Sequence, residues 1–330
     1  MEQSPCPPYR PSFSRIAPVR LLLLGRSGSV THWLEEAASA WRAEGHEVRV
    51  AFVRRPWLAT GVEASLAGPF SASLVRRVRR SRPDLILVIG GFHAPLPILQ
   101  AVAELPARPP LVGWVGDMFD ASAAAAAALY DVVAYTDSGL EARHRRLGFR
   151  AQAVFLPHAA DPSGDWPWRR HRIRDTIFAA NPTPHRRAIV SEVIQPLTLI
   201  GPGWSAEDGA HHHRRARRVS STTLRLLYGA HLASLNIRNE SHVLSGLNQR
   251  NFAPLLAGSA LITDDQPDLT RCFEPGREVL VWRDAAELND HDARLRTEPA
   301  FASALADRGR RRVLADHTYG RRLAAISALL

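Results

Sequence analysis

Residues Ser234–Asp268 read SLNIRNESHVLSGLNQRNFAPLLAGSALITDDQPD, and the alternation inside this stretch decides the fold. An apolar run, Leu232 to Ile237, gives way to a polar loop containing Gly246. A helix-like segment follows (Asn248 to Ala257), then Gly258 and a second apolar run at Leu261 and Ile262 that stops at Asp264 and Asp265. Strand, loop, helix and strand in this length make a βαβ unit, whose two strands run parallel because the crossover carries the chain back to its starting edge. Asn248, Gln249 and Arg250 stand where the helix should begin. Free backbone N–H groups, the positive end of a helix dipole and a guanidinium would then face one space, which suits a diphosphate.

The same alternation extends in both directions. Leu21 to Leu24 is a continuous apolar run of the kind shown by a strand buried on both faces, and it ends in Gly25-Arg26-Ser27-Gly28-Ser29. Thr31 to Glu44 places Trp33, Leu34, Ala37, Ala38 and Trp41 on one helical face, Gly45 closes it, and Val48, Val50 and Phe52 alternate as a strand. The glycine loop lacks the third Gly of a dinucleotide fingerprint, and Arg54 and Arg55 stand where its acid would be, so a nicotinamide-cofactor site is not expected. Asp84 to Gly90, Leu111 to Val115, Val132 to Tyr135 and Val154 to Leu156 read as further strands, each ending in polar residues and small turns. Beyond Arg174, Thr176 to Ala180 and Leu197 to Ile200 begin a second set, and Glu278 to Trp282 closes it. Polar groups therefore collect at the carboxyl edges of two parallel sheets.

Composition narrows the class. A chain of 330 residues has room for two cores, and 45% hydrophobic with 22% charged residues is ordinary for a globular protein. The net charge of +10 invites a nucleic-acid reading, but all 42 basic residues are Arg and none is Lys, together with much Ala. That bias fits drift toward GC-rich codons better than selection for a basic face, so a nucleic-acid partner is not expected. The two cysteines, Cys6 and Cys272, have neither metal-ligand nor disulfide spacing, which favours a reducing, cytoplasmic setting. The four leucines Leu21 to Leu24 are too short for a signal or membrane segment, and no transmembrane segment is expected. His211, His212 and His213 lie in the polar region Ser205 to Ser221 and read as a solvent-exposed loop, since three adjacent side chains cannot converge on one metal.

Several residues of the quoted stretch, Asn248, Arg250, Phe252, Gly258, Thr263 and Asp264, match the C-terminal signature of the CgeB-like (spore maturation protein) group of GT-B glycosyltransferases. The likeness continues upstream. Trp114 and Asp117, Tyr130-Asp131, Thr136-Asp137, Leu156-Pro157 with Ala159, Asp161 and Pro162, and Gly201-Pro202-Gly203-Trp204 follow the same order, so the chain resembles that family from about Arg20 onward. The resemblance implies an α/β, GT-B-like fold of two Rossmann-like doubly wound domains facing across a cleft. On that reading 1–18 is a Pro-rich disordered tail, 19–162 the acceptor-side domain and 163–174 a linker. Residues 175–316 form the nucleotide-sugar-binding domain, and 317–330 a last helix that packs back on the first domain.

The function implied is transfer of a sugar from a nucleotide-diphosphate sugar to a small-molecule, glycan or protein acceptor, metal-independent and retaining, with no cofactor beyond the donor. Asn248, Arg250 and Arg186 are the candidates for the departing diphosphate. Gly203, Trp204, Asn236, Glu240, Thr263 and Asp264 complete the expected donor site. Asp117, His93 and His158, at strand ends of the first half, are the candidates for handling the acceptor proton. Asp264 and Asp265 are adjacent, so a strand end should point them to opposite sides rather than at one metal. In one position the chain departs from the pattern. The Glu expected after Phe252, which in the family would hold the donor ribose, is Ala253. Another acid (Glu240, Asp264 or Asp265) would have to take over, or the chain would be a non-catalytic GT-B-like binding protein. Transfer to a nucleic-acid base is a further enzymatic alternative.

Overall fold

The computed structural model describes residues 16–26, 31–53, 63–164, 166, 173–215 and 217–330. The tail, most of the glycine loop after Leu24, Arg54-Arg55 and most of the expected linker lie outside the described residues. The chain divides into two compact units, one of residues 13–157 with 319–330 and one built mainly from 158–318.

The N-terminal unit alternates β1 (Arg20–Arg26), α1 (Thr31–Ala43), β2 (Glu47–Val53), α2 (Glu63–Ser81), β3 (Leu85–Ile89), α3 (Leu96–Ala103), β4 (Leu111–Val115), α4 (Ala124–Ala127), β5 (Val132–Tyr135), α5 (Ser138–Arg146) and β6 (Gln152–Phe155). All six strands are parallel, in the order β2-β1-β3-β4-β5-β6. Leu21 to Leu24 and the whole of β3, β4 and β5 are buried, as a sheet covered on both faces requires. The long apolar runs of the sequence record that burial. The Ala121 to Ala128 run forms only a 3₁₀ turn and the short α4, because Asp120 caps the turn by accepting from Ser122 N–H at 2.8 Å and the chain must reach β5 directly afterwards.

The second unit begins at His158 and contains β7 (Thr176–Ala179), α6 (Pro184–Ser191), β8 (Leu197–Ile200), β9 (His213–Arg215), α7 (Ser221–Ala230), β10 (Ala233–Asn236), α8 (Ala253–Leu256), β11 (Ala260–Asp264), α9 (Leu269–Cys272), β12 (Leu280–Trp282), α10 (Ala285–Thr297) and α11 (Pro299–Asp316). Its parallel sheet has the order β12-β11-β10-β7-β8-β9. Counted within the unit this is 3-2-1-4-5-6, the doubly wound order of a dinucleotide-binding fold, and it reverses between β7 and β10. β9 corrects the exposed-loop reading of the histidine region. His212 is buried, accepting at Nδ1 from Leu197 N–H at 3.1 Å with its Nε2 3.1 Å from the Val190 carbonyl. His212 thus pins the edge strand rather than facing solvent.

The final helix, α12 (Tyr319–Ser327), belongs to the N-terminal unit. Trp41 donates its indole N–H to the Tyr319 carbonyl at 2.8 Å, and the buried Arg322 donates Nε–H to the Pro157 carbonyl at 2.6 Å. Leu323 and Ile326 lie fully buried on its inner face. Among the described residues no helix is long and apolar enough to cross a membrane.

Candidate functional site

In an open parallel sheet, neighbouring crossovers leave in opposite directions at the point where the strand order reverses, which opens a crevice beyond the strand carboxyl ends. In the second unit that point lies between β7 and β10, paired through Ser234 and Ile177. Arg186 spans it. Thr183 caps α6, Pro184 occupies its first turn, and Arg186 then sends Nη1 to the Asn181 carbonyl beyond β7 at 2.9 Å. Nε and Nη2 reach the Ile237 carbonyl beyond β10 at 3.1 and 3.0 Å. Only 3% of Arg186 is exposed. Burial, and then the charge of Arg250, push its pKa down to about 9 against the opposing pull of Asp264.

Arg250 is placed by a network of side-chain amides. The carbonyl of fully buried Asn236 accepts from Asn248 Nδ2 at 3.1 Å and from Arg250 Nε at 3.3 Å. Its amide group turns the other way, to Thr263 Oγ1 at 3.1 Å and to Asn251 Oδ1 and Asp264 Oδ1 at 3.4 Å. Asn251 closes the ring by donating to Thr263 Oγ1 at 2.9 Å and accepting from Asn248 N–H at 3.0 Å. Arg250 is therefore fixed at Nε while its terminal nitrogens have no acceptor among the described residues. Burial lowers its pKa, with Tyr228 and Asp264 opposing. The buried Arg186 thus senses the charge of Arg250 across the switch point of the sheet.

Asp264 is the buried acid beside them. Burial raises its pKa, opposed by the Gln266 amide at 2.8 Å, the Arg238 N–H at 3.3 Å and the Arg238 charge. Asp265 points away to solvent and pairs with Arg283 Nε at 3.1 Å, the opposed arrangement that a strand end imposes. Glu240 sits on the loop after β10, half exposed, 3.6 Å from His185 Nδ1.

The structure corrects several expected roles. The helix expected from Asn248 is broken into a 3₁₀ turn, Gln249–Asn251, and the four-residue α8. The N–H groups of Arg250, Asn251 and Phe252 are taken by Asn248 Oδ1, Asn248 O and Gln249 O, so they are not available to an anion. The positive charge at this place is the guanidinium of Arg250, and Asn248 serves as its cap and prop. Trp204 is likewise removed from the ligand surface. Only 3% exposed, it donates its indole N–H to the Ala180 carbonyl at 2.7 Å and packs on Phe178. Gly203 forms the preceding turn with φ +95°, where an added Cβ would lie 3.1 Å from the Pro182 ring. Asn236 and Thr263 are fully buried and act by placing Arg250 and Asp264.

Of the three proton-handling candidates, His93 and Asp117 meet. Gly90 and Gly91, both at positive φ, turn the chain after β3 so that His93 Nε2 lies 3.1 Å from Asp117 Oδ2 beyond β4. Both side chains are partly exposed. His158 is buried and belongs to the other unit. The sequence holds one Asp-x-Asp spelling within a helix, Asp290-His291-Asp292. It lies within α10, where Asp290 is exposed while Asp292 is buried against Thr176 Oγ1 and Arg296, so the pair does not converge on an ion. Among the described residues no group of three or more His, Cys, Asp or Glu side chains is arranged to hold a metal. Asn251 was also missed. Its signal was the capping-box spacing Asn248-x-x-Asn251.

Comparison with known proteins bears on the fold. Residues 178–328 match the model of a family described as glycosyl transferase-like. Among solved structures, the sucrose-phosphate synthase of Thermosynechococcus elongatus superposes with TM-score 0.65 at 14% identity, covering 94% of this chain and 98% of that one. HepE of Anabaena, solved with UDP and glucose, gives 0.65 at 12% identity, covering 94% and 100%. A glycosyltransferase from Rickettsia africae gives 0.68 at 9%, covering 95% and 98%. Likeness at such identities is likeness of fold, and the fold is GT-B. Comparison with curated protein sequences gives no match.

Proposed function

We propose that the chain is a glycosyltransferase that takes a hexose from a nucleoside-diphosphate donor held by the second unit. The observation that carries this reading is Arg250 at the place where the strand order reverses, held at Nε by Asn236 with its terminal nitrogens unpartnered among the described residues, its charge repelling that of the buried Arg186. An anion at the free end of Arg250 would relieve that repulsion and gain charge-assisted hydrogen bonds. In the reaction the anomeric C–O bond to the β-phosphate breaks while an acceptor oxygen bonds to the same carbon. Arg250 stabilises the departing diphosphate without a metal, and Arg186 adds its field while holding the two strand ends in place. For a retaining transfer the acceptor proton passes to the departing phosphate oxygen.

UDP is the first probe, because the fold relative from Anabaena was solved with it. A ligand that binds only the folded state raises stability by about 2.7 kcal/mol at a hundred times its Kd. A thermal-shift panel of nucleoside diphosphates should therefore raise the melting temperature, in EDTA as well as in Mg²⁺. No shift with any of them would reject the reading. A second reading, donor binding without transfer, is favoured by Ala253, which packs against the apolar cluster of Ile177, Ile200 and Tyr228 where the family pattern has an acid. Release of nucleoside diphosphate from a bound nucleotide sugar in the presence of acceptor separates the two.

A further inference from the structure

The two histidines just before β9 tie that edge strand to the connection between α6 and β8. His211 Nε2 donates to the Val193 carbonyl at 3.0 Å, and His212 Nε2 lies 3.1 Å from the Val190 carbonyl. A carbonyl only accepts, so each ring carries its proton at Nε2. Nδ1 of His212 is then a lone pair, and it takes the N–H of Leu197, the first residue of β8, at 3.1 Å.

The ring is closely held. His212 is 3% exposed, its centroid lies 3.9 Å from that of His211, and a Cβ added at Gly209 would lie 2.8 Å from its Cδ2. A second proton on His212 can go only to Nδ1. One N–H would then face another, so the bond to Leu197 would be lost and a charge left in a buried place.

The surroundings oppose that proton. Burial first, and then His211, Arg214 and His213, hold the His212 pKa below the ordinary imidazole value, against the pull of the Val190 carbonyl. His213 lies 3.4 Å from Asp175, Arg187 of α6 and Asp208 are paired with each other, and Glu192 at the end of α6 is exposed. β8 carries no titratable side chain. His231 meets the next residue of β8, with Nε2 3.2 Å from Thr198 Oγ1. A hydroxyl can turn to accept from a protonated ring, which a backbone N–H cannot do.

We propose that His212 makes β9 an acid-released edge: the neutral ring latches the strand to the α6–β8 connection, and protonation at Nδ1 frees it while the rest of the fold stays closed. The sign follows from a folded-state pKa that is depressed. The latch contributes fully above the ordinary imidazole value of about 6.5 and is lost as pH falls through the lower folded-state value. Over that interval the open form binds one more proton, so its population rises about tenfold per pH unit.

Hydrogen exchange of the full chain between about pH 7.5 and 4, corrected for the intrinsic pH dependence of exchange, reads this opening. Protection of Leu197 and of β9 should fall about tenfold per pH unit below about 6.5, while β3, β4, β5 and β11 keep theirs. In His212→Asn the side-chain oxygen can take the Leu197 N–H without titrating, so protection there should no longer depend on pH over the histidine range. Should that variant fail to fold, His231→Gln serves instead, and the pH dependence should remain in it. Protection that is indifferent to pH, or that falls in parallel in both units, would overturn the proposal. So would the same fall in His212→Asn, or its disappearance in His231→Gln. A fall that starts only near the ordinary aspartate value, about 3.9, would assign the opening to Asp208 and overturn it as well.

Discussion

Arg250 divides its guanidinium between two tasks. Nε is held by Asn236, and on the proposed reading the terminal nitrogens take the diphosphate. Arg250→Ala should therefore weaken nucleoside-diphosphate binding by about 1.5–3 kcal/mol, the range for a hydrogen bond to a charged group, with an unchanged circular-dichroism spectrum. Arg250→Lys keeps the charge but loses the fork, and should recover only part of that affinity. Position 253 makes a second residue-scale case. Asp264 has its oxygens committed to Asn236, Gln266 and Arg238, so it has little capacity left for a ribose, while Glu240 remains half exposed on the loop after β10. A carboxylate introduced by Ala253→Glu, three residues from Arg250, would draw the guanidinium toward itself and add a negative charge near the diphosphate. We expect UDP affinity to fall in this variant. Tighter binding would show a ribose contact waiting for its acid and would favour binding without transfer.

Among the elements, the turn after β8 shows how a glycine-rich spelling can mislead. Gly201-Pro202-Gly203-Trp204 reads as a ligand loop, yet the indole turns inward and the polar work passes to Asp208. Burial alone would raise the pKa of Asp208, but hydrogen bonds from Ser205 N–H and from Arg187, with the Arg187 charge, hold it below the usual carboxylate range. A depressed folded-state pKa contributes stability that is present above the unfolded value and lost as pH falls through the folded one. Asp208→Asn should thus cost about 1–3 kcal/mol at neutral pH, and in urea denaturation the gap from wild type should close as the pH drops below the ordinary aspartate range. A constant gap would assign the loss to packing. The strand between Leu232 and Ile237 and its partner at Leu261 and Ile262 were legible because both faces are buried and the runs are apolar without interruption. The element between them was not. Pro254 and the distorted helical turn at Phe252 (φ −113°, ψ −47°) break a segment whose composition reads as one helix, and periodicity does not register where backbone N–H groups find side-chain acceptors. Asn251→Leu should accordingly destabilise the unit by about 1–3 kcal/mol, since Thr263 Oγ1 and the Asn248 N–H would lose their partner in a buried place. Chemical denaturation measures this directly.

For the whole molecule, two observations bear on function in different ways. The first is charge. Arg is used to the exclusion of Lys throughout, and many of the surface arginines pair with nearby acids, as Arg283 does with Asp265 and Arg294 with Glu298. The second is topology. Both sheets are six-stranded, parallel and doubly wound, and their order follows from strands that the apolar runs announce one by one. What the sequence does not state is which polar strand ends are exposed and which are sealed, because that depends on side chains meeting across strands far apart in the chain. Asn236 and Thr263 are 27 residues apart and meet only when β10 pairs with β11. The central claim is that the second unit holds a nucleoside diphosphate through Arg250 without a metal. Isothermal titration of UDP into the full chain in EDTA tests it most directly. One site per chain with unchanged affinity on adding Mg²⁺, and a ten- to hundredfold loss in Arg250→Ala (about 1.5–3 kcal/mol), is the result this account predicts. Binding that requires the metal, or that is indifferent to Arg250→Ala, would contradict it.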